Sequence, residues 1–544
     1  MGYAHDYADA IMHRGRIPMD PVDFVPDWAD RPRKAKFYPD AETLPLPPPL
    51  PSPEPGPGPG PGPGPGQRPS GPAGFTLPLL SGMLLDSYGL TGRRLAVQAN
   101  TDLAALPHHT HANWSRGTAS GGGLYPVSIY WAAGADGPLT PGLYHYGPHA
   151  HGLRRVLTGD VTGVVREALG PDAGPAGAAT QYLVLGVKYW QNAFKYNSFS
   201  FHAVSMDVGA LVQTWRLWAR PYGLRIDPVL WFDEERLAGL LGVEPREEGL
   251  FAVVPLAWEG PRGGGPAGGP WARDPGVGVP YGDAAVTAHR DGERSRRVVE
   301  FETLLRVHTA TLGRAADRPA PTALDAAAVV PPRGTDPLAL PAPAAARLSP
   351  AAALRARRSS FGRFDASRPI AADQLAAVLA DCAATAYGTE AERADGPPLT
   401  ALYVFVNHVE GVAPGGYAYD PRARTLRLVA PGPPGGFLQR TYFLSNYNLE
   451  QAGAVVVPAL RTTAVLDAVG DRGYRLVNGT VGAVAQTFYT SAAGFGLGAG
   501  VALGFDNIAY VEQLGLTGSG EAPLLIMPLG HERPRPADFR HEIA

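Results

Sequence analysis

The chain has 544 residues and a formal net charge of −3; 45% of its residues are hydrophobic and 18% are charged. This length is too great for a single hydrophobic core, so we expect at least two domains. The charge excludes the basic surface that proteins use to bind nucleic acid or anionic membranes. Cys382 is the single cysteine, which excludes an internal disulfide or a cysteine-built metal site and indicates a cytoplasmic protein.

The N-terminal sequence has no apolar signal core, and no apolar run reaches the roughly 18 residues of a membrane span. Residues 1–44 carry scattered aromatic side chains, so we expect this arm to dock on the body of the protein. Residues 45–70 are rich in proline and glycine, a composition that buries little apolar surface and predicts an exposed linker. A polyproline recognition segment is the alternative, which the alternating glycines disfavour.

Residues 71–260 are predicted to form the first domain. The opening run, LPLLSGMLLDSYG, has helical apolar spacing and ends at Gly89, and a long polar loop is expected after it. A longer helix is predicted from about Phe201 to Tyr222, where Gly223 marks its end. Alternating or continuous apolar runs predict strands at LYPVSIYWAA, GLYHY, the run from Leu153, YLVLGV and AVVPLAW.

Residues 261–344 are predicted to connect the domains, with Gly- and Pro-rich stretches around one helix in SRRVVEFETLLRVHTATL. Residues 345–544 follow as the second domain. Its first helix has Ser349 as N-cap and Pro350 in the first turn, and its long helix is expected from about Gly479 to Phe495. This order of helices and strands predicts an α+β sandwich rather than a doubly wound parallel sheet.

The second domain repeats the first at a constant shift along the chain, the one that aligns Gly142 with Gly415. GLYHY from Gly142 meets GGYAY from Gly415, and VGALVQT from Val208 meets VGAVAQT from Val481. A constant shift without gaps indicates a tandem duplication in which both copies keep one fold. Chemistry that only one copy retains therefore locates the functional site.

The first copy alone carries a glycine-rich loop ahead of a predicted strand, SGGGLYP from Ser120 to Pro126. Its glycines allow backbone amides to approach a flat ligand closely, and Pro126 stiffens the exit. A plain flexible loop is the alternative, but the matching stretch from Arg393 has lost every feature of the loop. The candidate ligand-binding residues here are Arg116, Ser120, Gly121, Gly122, Gly123 and Tyr125.

The second copy carries Arg357, Arg358 and Ser359 where a helix gives way to a loop, with Arg363 close behind. Guanidinium groups and a hydroxyl suit a phosphate monoester, because they bind its oxygens through paired hydrogen bonds. A solvated basic surface is the alternative, and composition alone favours it.

The first copy also carries Lys195 and Tyr196 just before its long helix, where the second copy has Ala468 and Val469. A solvated lysine and a packed tyrosine are the ordinary interpretation of such a pair. Next to a ligand-binding loop the pair can instead move a proton, provided that burial lowers the lysine pKa from its usual value near 10.4.

Other motifs carry less information. Neither the dinucleotide-binding pattern nor the P-loop pattern occurs in its required context. His108, His109 and His111 lie in a loop without a clear carboxylate partner, so no metal site is predicted. Asp233 and Asp506 occur in both copies and are therefore expected to serve the fold rather than a reaction.

Together, the SGGGLYP loop, the Lys-Tyr pair and the Arg-Arg-Ser segment resemble the SagB/ThcOx-type and McbC-like peptide dehydrogenases of the nitroreductase superfamily. The resemblance covers roughly residues 75–260 and 345–535. In that family two protomers pair: an Arg-x-Ser segment of one holds the phosphate of flavin mononucleotide (FMN), and a loop of the other lies against the flavin ring. The resemblance therefore implies that the two copies pair as a pseudo-dimer within the chain. It also implies one composite FMN site per chain, with its phosphate segment in the second copy and its ring loop in the first.

The resemblance also assigns catalysis to Lys195 and Tyr196, without deciding which of them is the base. Two features depart from the family pattern: Ala119 stands where a proline usually precedes the loop serine, and the first copy has no clear Arg-x-Ser of its own. The further residues expected to contact FMN are Gly496, Leu497, Gly498 and Arg533.

By the same resemblance, the protein oxidises thiazoline or oxazoline rings to thiazoles or oxazoles in a ribosomally synthesised, post-translationally modified peptide, with dioxygen as electron acceptor. The implied partners are the modified precursor peptide and a cyclodehydratase of the YcaO/ThiF-like type. Two alternatives stay open: an NAD(P)H-dependent nitro or quinone reductase on the same fold, and a non-catalytic scaffold that binds the peptide. The choices between thiazoline and oxazoline, and between monomer and homodimer, also stay open.

Overall fold

Two large antiparallel sheets with helices packed on them form the body of the protein. The computed structural model describes residues 2–50, 74–98, 108–259, 287, 289–393, 395–534 and 538–543, and only the backbone of 96–98, 108–112 and 538–540. Most of the predicted linker therefore lies outside the described residues. Within these ranges no helix has both the length and the apolar character that crossing a membrane requires.

The arm begins with helix α1 (Tyr3–His13) and ends in strand β1 (Thr43–Pro45), which pairs with β6 of the first-half sheet. The first half of the body, residues 74–259, follows. Its elements are α2 (Leu77–Tyr88), β2 (Gly92–Gln98), β3 (His108–Ser115), β4 (Val127–Ala133), β5 (Gly142–Gly147), β6 (Gly152–Thr158), α3 (Thr162–Leu169), β7 (Gln181–Lys188), α4 (Trp190–Tyr196), α5 (Ser200–Ala219), α6 (Glu234–Leu241) and β8 (Glu248–Pro255).

The connector contributes helix α7 (Glu302–Leu312) and strand β9 (Thr335–Ala339). The second half of the body, residues 345–534, is followed by a last strand, β17 (Asp538–Glu542). Its elements are α8 (Pro350–Ala356), α9 (Ala372–Ala383), β10 (Thr400–Val406), β11 (Gly415–Asp420), β12 (Thr425–Pro431), α10 (Gly435–Thr441), β13 (Ala454–Leu460), α11 (Thr462–Val469), α12 (Gly473–Gly494), β14 (Gly498–Ala499), α13 (Asn507–Gln513), β15 (Ala522–Pro523) and β16 (Met527–Gly530).

The two sheets have the same strand order. The first runs β1-β6-β5-β4-β7-β8, and the second runs β9-β12-β11-β10-β13-β16-β14, with β15 also paired to β13. Each strand of the first sheet thus has a counterpart at the same place in the second. The strand pairs are antiparallel throughout both sheets, which confirms the α+β class and excludes a parallel, doubly wound sheet.

The register of the two sheets repeats with the same shift that relates the two halves of the sequence. Tyr130 pairs with His145 between β4 and β5, and Tyr403 pairs with Ala418 between β10 and β11. A slip by one residue would turn every side chain of a strand to the opposite face. The shared register therefore means that both halves present the same positions to their cores.

The halves pack against each other through α5 and α12, which approach most closely at glycines. A Cβ on Gly209 would lie 2.0 Å from the carbonyl oxygen of Gly479, and one on Gly482 would lie 2.0 Å from that of Met206. Gly482 is the counterpart of Gly209 in the second half, and Gly479 is the counterpart of Met206. Each half thus makes the same contact with the other, as the subunits of a two-fold dimer do.

Helix ends agree with the sequence prediction. Ser349 caps α8 by accepting a hydrogen bond from the Ala352 amide. Asp233 caps α6 and Asp506 caps α13, each accepting from the amide three residues later. The two aspartates serve the fold, as expected from their presence in both halves.

Two predicted features differ from the structure. The prediction of a polar loop after α2 is wrong. Strands β2 and β3 occupy this region and form a separate three-stranded sheet with β17 from the other end of the chain. Pairing with so distant a segment leaves no local pattern in the sequence. Helix α12 begins at Gly473, ahead of the predicted start at Gly479, since its first turns are held by the buried ion pair between Arg475 and Glu234 of the first half.

Candidate active site

The triple-glycine turn, residues 120–125, meets the Lys-Tyr pair in the first half. The turn precedes β4, and α4 ends at Tyr196. Gly122 has a left-handed φ of 61°, and a Cβ there would lie 2.4 Å from Tyr196 Oη and 2.6 Å from Lys195 Nζ. Only glycine at this position allows both side chains to lie against the turn.

Burial changes how the pair titrates. It lowers the pKa of Lys195, and it raises the pKa of Tyr196 to about 12 with a further contribution from the charge of Asp207. Lys195 Nζ lies 4.7 Å from the centroid of the Tyr196 ring, within the range of a cation–π contact. At neutral pH the phenol is therefore a hydrogen-bond donor, and Lys195 loses its proton more readily than an exposed lysine does.

Asp207 of α5 holds the beginning of the turn. Its buried carboxylate accepts hydrogen bonds from the Ser120 hydroxyl at 2.6 Å and from the Gly121 amide at 2.8 Å. Ser120 Oγ in turn accepts from the Tyr125 amide at 2.9 Å, which ties the last residue of the turn to the first. Burial raises the pKa of Asp207 to about 7, against the opposing effect of the two hydrogen bonds.

Arg116 lies beneath Tyr125 and supports the turn. Its buried guanidinium is 4.3 Å from the centroid of the Tyr125 ring and 5.0 Å from that of Tyr88, and it donates to the Tyr88 carbonyl at 3.0 Å. Tyr125 has a φ of 53°, which is uncommon for a residue other than glycine. The stacked cation stabilises this conformation, while the predicted contact of Arg116 with FMN stays a prediction.

The second half reaches the segment that leads into the turn. Arg357 Nη2 donates to the carbonyl oxygens of Arg116 at 2.9 Å and Thr118 at 3.4 Å. Gln486 of α12 accepts from the Ala119 amide at 2.9 Å and donates to the Gly117 carbonyl at 3.1 Å. The structure therefore brings the arginine segment of one half next to the triple-glycine turn of the other.

Ser359 and Ser360 follow α8 and lie beside β14. Ser359 Oγ is hydrogen-bonded to Tyr489 Oη of α12 at 2.8 Å. Ser360 donates its amide to the Ala499 carbonyl and accepts from the Ala499 amide through Oγ, both at 2.9 Å. These bonds fix the direction of the segment after the helix ends.

Arg358 points to a different partner from Arg357. Its guanidinium forms an ion pair with Glu532, which follows β16. A Cβ on Gly498 would lie 2.4 Å from Glu532 Cγ and 2.8 Å from Ser360 Oγ. Gly498 thus permits the close approach of the two segments. Arg357 reaches across to the first half, and Arg358 pairs with Glu532 of its own half.

The remaining predicted contacts lie near this segment. Gly496 has a φ of 70°, and no atom of the residues that the structure describes lies within 4 Å of the place of a Cβ there. Leu497 is buried. Arg533 is exposed, and its Nε donates to the Phe364 carbonyl at 3.1 Å. The part that each of these residues plays in holding a ligand stays a prediction.

The N-terminal arm braces the Lys-Tyr pair. Tyr7 Oη donates to the Ser198 carbonyl at 2.7 Å, and the Ser198 hydroxyl donates to the Asp20 carbonyl. Trp28 packs edge-on against Phe194, with ring centroids 5.2 Å apart. The arm therefore docks as predicted, and it holds the chain on both sides of Lys195 and Tyr196.

Two residues at the turn were missing from the sequence prediction. Asp207 corresponds to Thr480 in the second half, the same one-sided retention that marked the turn, so comparison of the halves could have found it. Gln486 corresponds to Gln213. Because both halves keep this glutamine, the comparison carries no signal for its contact with the turn.

The predicted absence of a metal at the histidine cluster is not tested by the structure. His108, His109 and His111 begin β3, and their side chains lie outside the described atoms. The expectation that they bind no metal stays a prediction.

Comparison with known proteins identifies a family domain in the second half. Residues 354–531 match the Nitroreductase family. A crystal structure of a "putative nitroreductase" from Anabaena variabilis covers 98% of this chain and 100% of its own, with a TM-score of 0.70 and 21% sequence identity. At that identity the likeness shows a shared fold, and it does so over both halves and the connector.

Two further matches are partial. "Putative nitroreductase MJ1384" of Methanocaldococcus jannaschii is 33% identical over 133 residues, which is 24% of this chain and 64% of that protein, less than two thirds of its length. The Escherichia coli "Microcin synthetase McbBCD complex with truncated pro-MccB17 bound" matches 35% of this chain and 71% of its own at 18% identity and a TM-score of 0.28. That score is too low to indicate a shared fold.

Proposed function

We propose that this chain, whose second half contains a nitroreductase family domain, is an FMN-dependent oxidoreductase that oxidises thiazoline or oxazoline rings in a modified peptide. The observation that carries the proposal is the hydrogen bonding of Arg357 to the carbonyls of Arg116 and Thr118, just ahead of the triple-glycine turn. The arginine segment of one half thus lies next to the triple-glycine turn of the other. In the family that the sequence resembles, the phosphate segment and the ring loop adjoin in the same way between two protomers. The azoline substrate rests on that resemblance.

We infer further that the halves are tandem copies of one domain and form an internal pseudo-dimer. The equal strand order, the equal register and the reciprocal contacts of Gly209 and Gly482 support this inference. Because the turn with its Lys-Tyr pair occurs in one half and the arginine segment in the other, the pseudo-dimer has one complete site.

The residues at the site fit FMN. None of the described residues forms a hydrogen bond with the buried Arg357 Nε, and the hydroxyls of Ser359 and Ser360 lie on the same segment. A phosphate monoester is an anion that accepts from such groups. At the turn, no heavy atom of the described part of the chain lies within 4 Å of the place of a Cβ on Gly123, as the approach of a flat ring requires. Glu532 opposes the fit, but Arg358 neutralises its charge.

When bound, FMN supplies the two-electron acceptor for a hydride from the azoline ring. The chain itself must take a proton from the neighbouring ring carbon, which is acidic because it lies between an imine and a carbonyl. We assign this step to Lys195, since burial lowers its pKa and brings it toward the working pH of a general base. Tyr196, protonated at neutral pH, orients the substrate by donating a hydrogen bond. Loss of one proton and one hydride leaves an aromatic azole.

The proposed substrate class implies its partners. An azoline in a peptide is formed by cyclodehydration of a cysteine, serine or threonine residue, so a cyclodehydratase of the YcaO/ThiF-like type must supply it. Dioxygen is the proposed final electron acceptor.

The absorption spectrum of the purified protein is the first test. We expect flavin bands and, after release and quantification, one FMN per chain. Two FMN per chain would contradict the single composite site. A peptide that contains an azoline should then lose two hydrogen atoms per ring, measured by mass spectrometry. Lys195→Ala should keep its FMN but lose this activity, and unchanged azole formation after replacement of both Lys195 and Tyr196 would support a non-catalytic scaffold.

The family match favours a second candidate, an NAD(P)H-dependent nitro or quinone reductase. Loss of flavin absorbance on addition of NADPH without any peptide, followed by turnover of a nitroarene or quinone, would support it. Lys195→Ala separates the two reactions. We expect azoline oxidation to need the lysine, because a carbon-bound proton must be removed, whereas reduction of a nitro group has no such step.

A further inference from the structure

Asp207 connects the triple-glycine turn to the long helix that packs against the second half. Through its two oxygens it holds the Ser120 hydroxyl and the Gly121 amide, and through Ser120 it reaches the Tyr125 amide. Gly122 and Tyr125 both have positive φ values, 61° and 53°. Such conformations persist only where surrounding contacts enforce them, and Asp207 supplies three linked hydrogen bonds for this purpose.

The Asp207 carboxylate is buried without a compensating cation. Its exposed fraction is 6%, and within the described ranges no lysine, arginine or histidine forms an ion pair with it. The titratable groups that face it are Tyr88 of α2 and Tyr196 of α4, and burial raises the pKa of both phenols, so neither carries a charge at neutral pH. A buried carboxylate without a cation destabilises the fold, so a purely structural role is a poor explanation for it.

The second half offers an internal comparison. At the position equivalent to Asp207, α12 has Thr480, whose hydroxyl donates to the Leu476 carbonyl of its own helix at 2.8 Å. This helix position therefore accommodates a neutral residue in the half that lacks the triple-glycine turn. The carboxylate occurs only in the half that has the turn.

We propose that Asp207 is the positioning residue that holds the triple-glycine turn against Lys195 and Tyr196 and thereby shapes the pocket for the flavin ring. This inference rests on the proposed function for its ligand. Its structural part, that the ionised carboxylate sets the conformation of residues 120–125, is independent of the ligand and can be tested without it.

The decisive variant is Asp207→Asn. Asparagine has nearly the same shape and can still accept from the Gly121 amide, but its NH2 group cannot accept from Ser120. Ser120 must then turn toward the new donor, which competes with its bond to Tyr125. We expect amide hydrogen exchange of the 120–125 segment to accelerate at least tenfold in the protein without FMN, and the Kd for FMN in a fluorescence titration to rise about tenfold. The matched control is Thr480→Val, which should change neither.

Measurements of thermal stability and of its pH dependence distinguish a positioning role of Asp207 from a role in stabilising the fold. Because burial raises the pKa of Asp207 to about 7, stability from this group is present at low pH and is lost as pH rises from about 4 through 7. The neutral side chain in Asp207→Asn should therefore raise Tm at pH 8 while weakening FMN binding, and binding in the wild type should weaken as pH falls through 7. The variant should lose this pH step.

The outcomes distinguish this inference from the proposed function. If the wild type binds no FMN, the proposed function fails, and the exchange experiment still decides whether Asp207 holds the turn. If the wild type binds FMN but Asp207→Asn has the same exchange rate, the same Kd and the same pH dependence, the positioning role is overturned. A lower Tm at pH 8 with unchanged exchange in the turn would show that Asp207 serves the fold alone.

Discussion

At the shift that aligns the two halves, Ser359 of the second half corresponds to Asp86 of the first. The first side chain is a neutral hydroxyl, and the second is a carboxylate. Ser359 presents a hydroxyl beside the arginine segment, bonded to Tyr489. Asp86 is a buried carboxylate that accepts from Arg355 Nε and from Trp218 Nε1, both at 2.9 Å. A carboxylate repels a phosphate at the place where a hydroxyl would bind it. At the place equivalent to Ser359, the first half thus has a carboxylate paired with Arg355 instead of a hydroxyl donor.

The two halves differ in residue type at each part of the proposed site. At the constant shift between the halves, Arg357 corresponds to Leu84, and Lys195 corresponds to Ala468. At the turn, Gly122 corresponds to Asp395. Under the proposed function each half supplies part of one FMN site, and each half has other residue types where the other half supplies its part.

The largest expected effect concerns a charge that one half alone carries. Glu234 is buried between Arg472 and Arg475 of the second half, whereas its counterpart is Asn507. Glu234→Gln leaves two buried guanidinium groups without their anion, so we expect a loss of about 3–5 kcal/mol in the free energy of unfolding at pH 7. Urea denaturation measures it, and Glu235→Gln on the exposed side of the same helix is the control.

The same ion pair predicts a pH dependence of stability. Burial alone would raise the pKa of Glu234, but the charges of Arg475 and Arg472 lower it to about 2. Its contribution to stability is therefore complete above the unfolded pKa near 4.5 and is lost as pH falls from there to about 2. The wild type should lose about 3 kcal/mol across this window, and Glu234→Gln should not show that loss. Equal acid sensitivity of both proteins would contradict the assignment.

The next prediction compares two arginines at the end of α8. Arg357 lies at the proposed FMN site, and Arg355 pairs with Asp86. Arg357→Ala removes a charged donor from the complete site, so we expect FMN binding to weaken by about 2–3 kcal/mol, or roughly 30- to 150-fold in Kd. Arg355→Ala removes the partner of Asp86 instead. It should lower Tm, because Asp86 stays buried without a cation, but change the Kd for FMN by less than about twofold. Equal losses of FMN binding in both variants would contradict this division between the two arginines.

The third prediction uses two neighbouring glycines of the turn, both with positive φ. In Gly122→Ala the new methyl group would meet Tyr196 Oη and Lys195 Nζ, whereas in Gly123→Ala it would meet none of the described residues within 4 Å. Both variants carry the backbone strain of a left-handed alanine, about 1–2 kcal/mol. The extra loss in Gly122→Ala, which we expect to be about tenfold in turnover, isolates the contact with the Lys-Tyr pair. Indistinguishable kinetics would mean that the pair does not lie against the turn during catalysis.

Some features of the fold could be predicted because their signals are local or repeat along the chain. The helix that ends before Gly89, the N-cap at Ser349 and the buried strand Gln181–Lys188 each depend on neighbouring residues. The strand pair β2 and β3 could not be predicted, because it is completed by β17, which comes from the far end of the chain.

Some residues of the candidate site could likewise be predicted from the sequence, and others could not. Comparison of the halves singled out the triple-glycine turn and the Lys-Tyr pair, since residue types that one half has lost stand out against a shared background. The arginine segment was assigned by its residue types together with the family resemblance. The same comparison could have found Asp207, because its counterpart in the second half is Thr480. Gln486, which both halves keep, and the bracing contacts of Tyr7 and Trp28 gave no such signal, because each depends on a partner far away in the chain.

The amino-acid order by itself determined that the chain has two similar units and which residues belong to only one of them, since a constant shift and local periodicity are properties of order alone. Tertiary structure alone decided that Arg357 donates to carbonyls just ahead of the triple-glycine turn, whereas Arg358 pairs with Glu532. It also decided that Asp207 is buried beside Ser120, with no ion pair to a lysine, arginine or histidine that the structure describes. The physical reason is that hydrogen bonds and burial depend on which side chains share a volume, and α5 and α12 bring these together from distant positions in the chain.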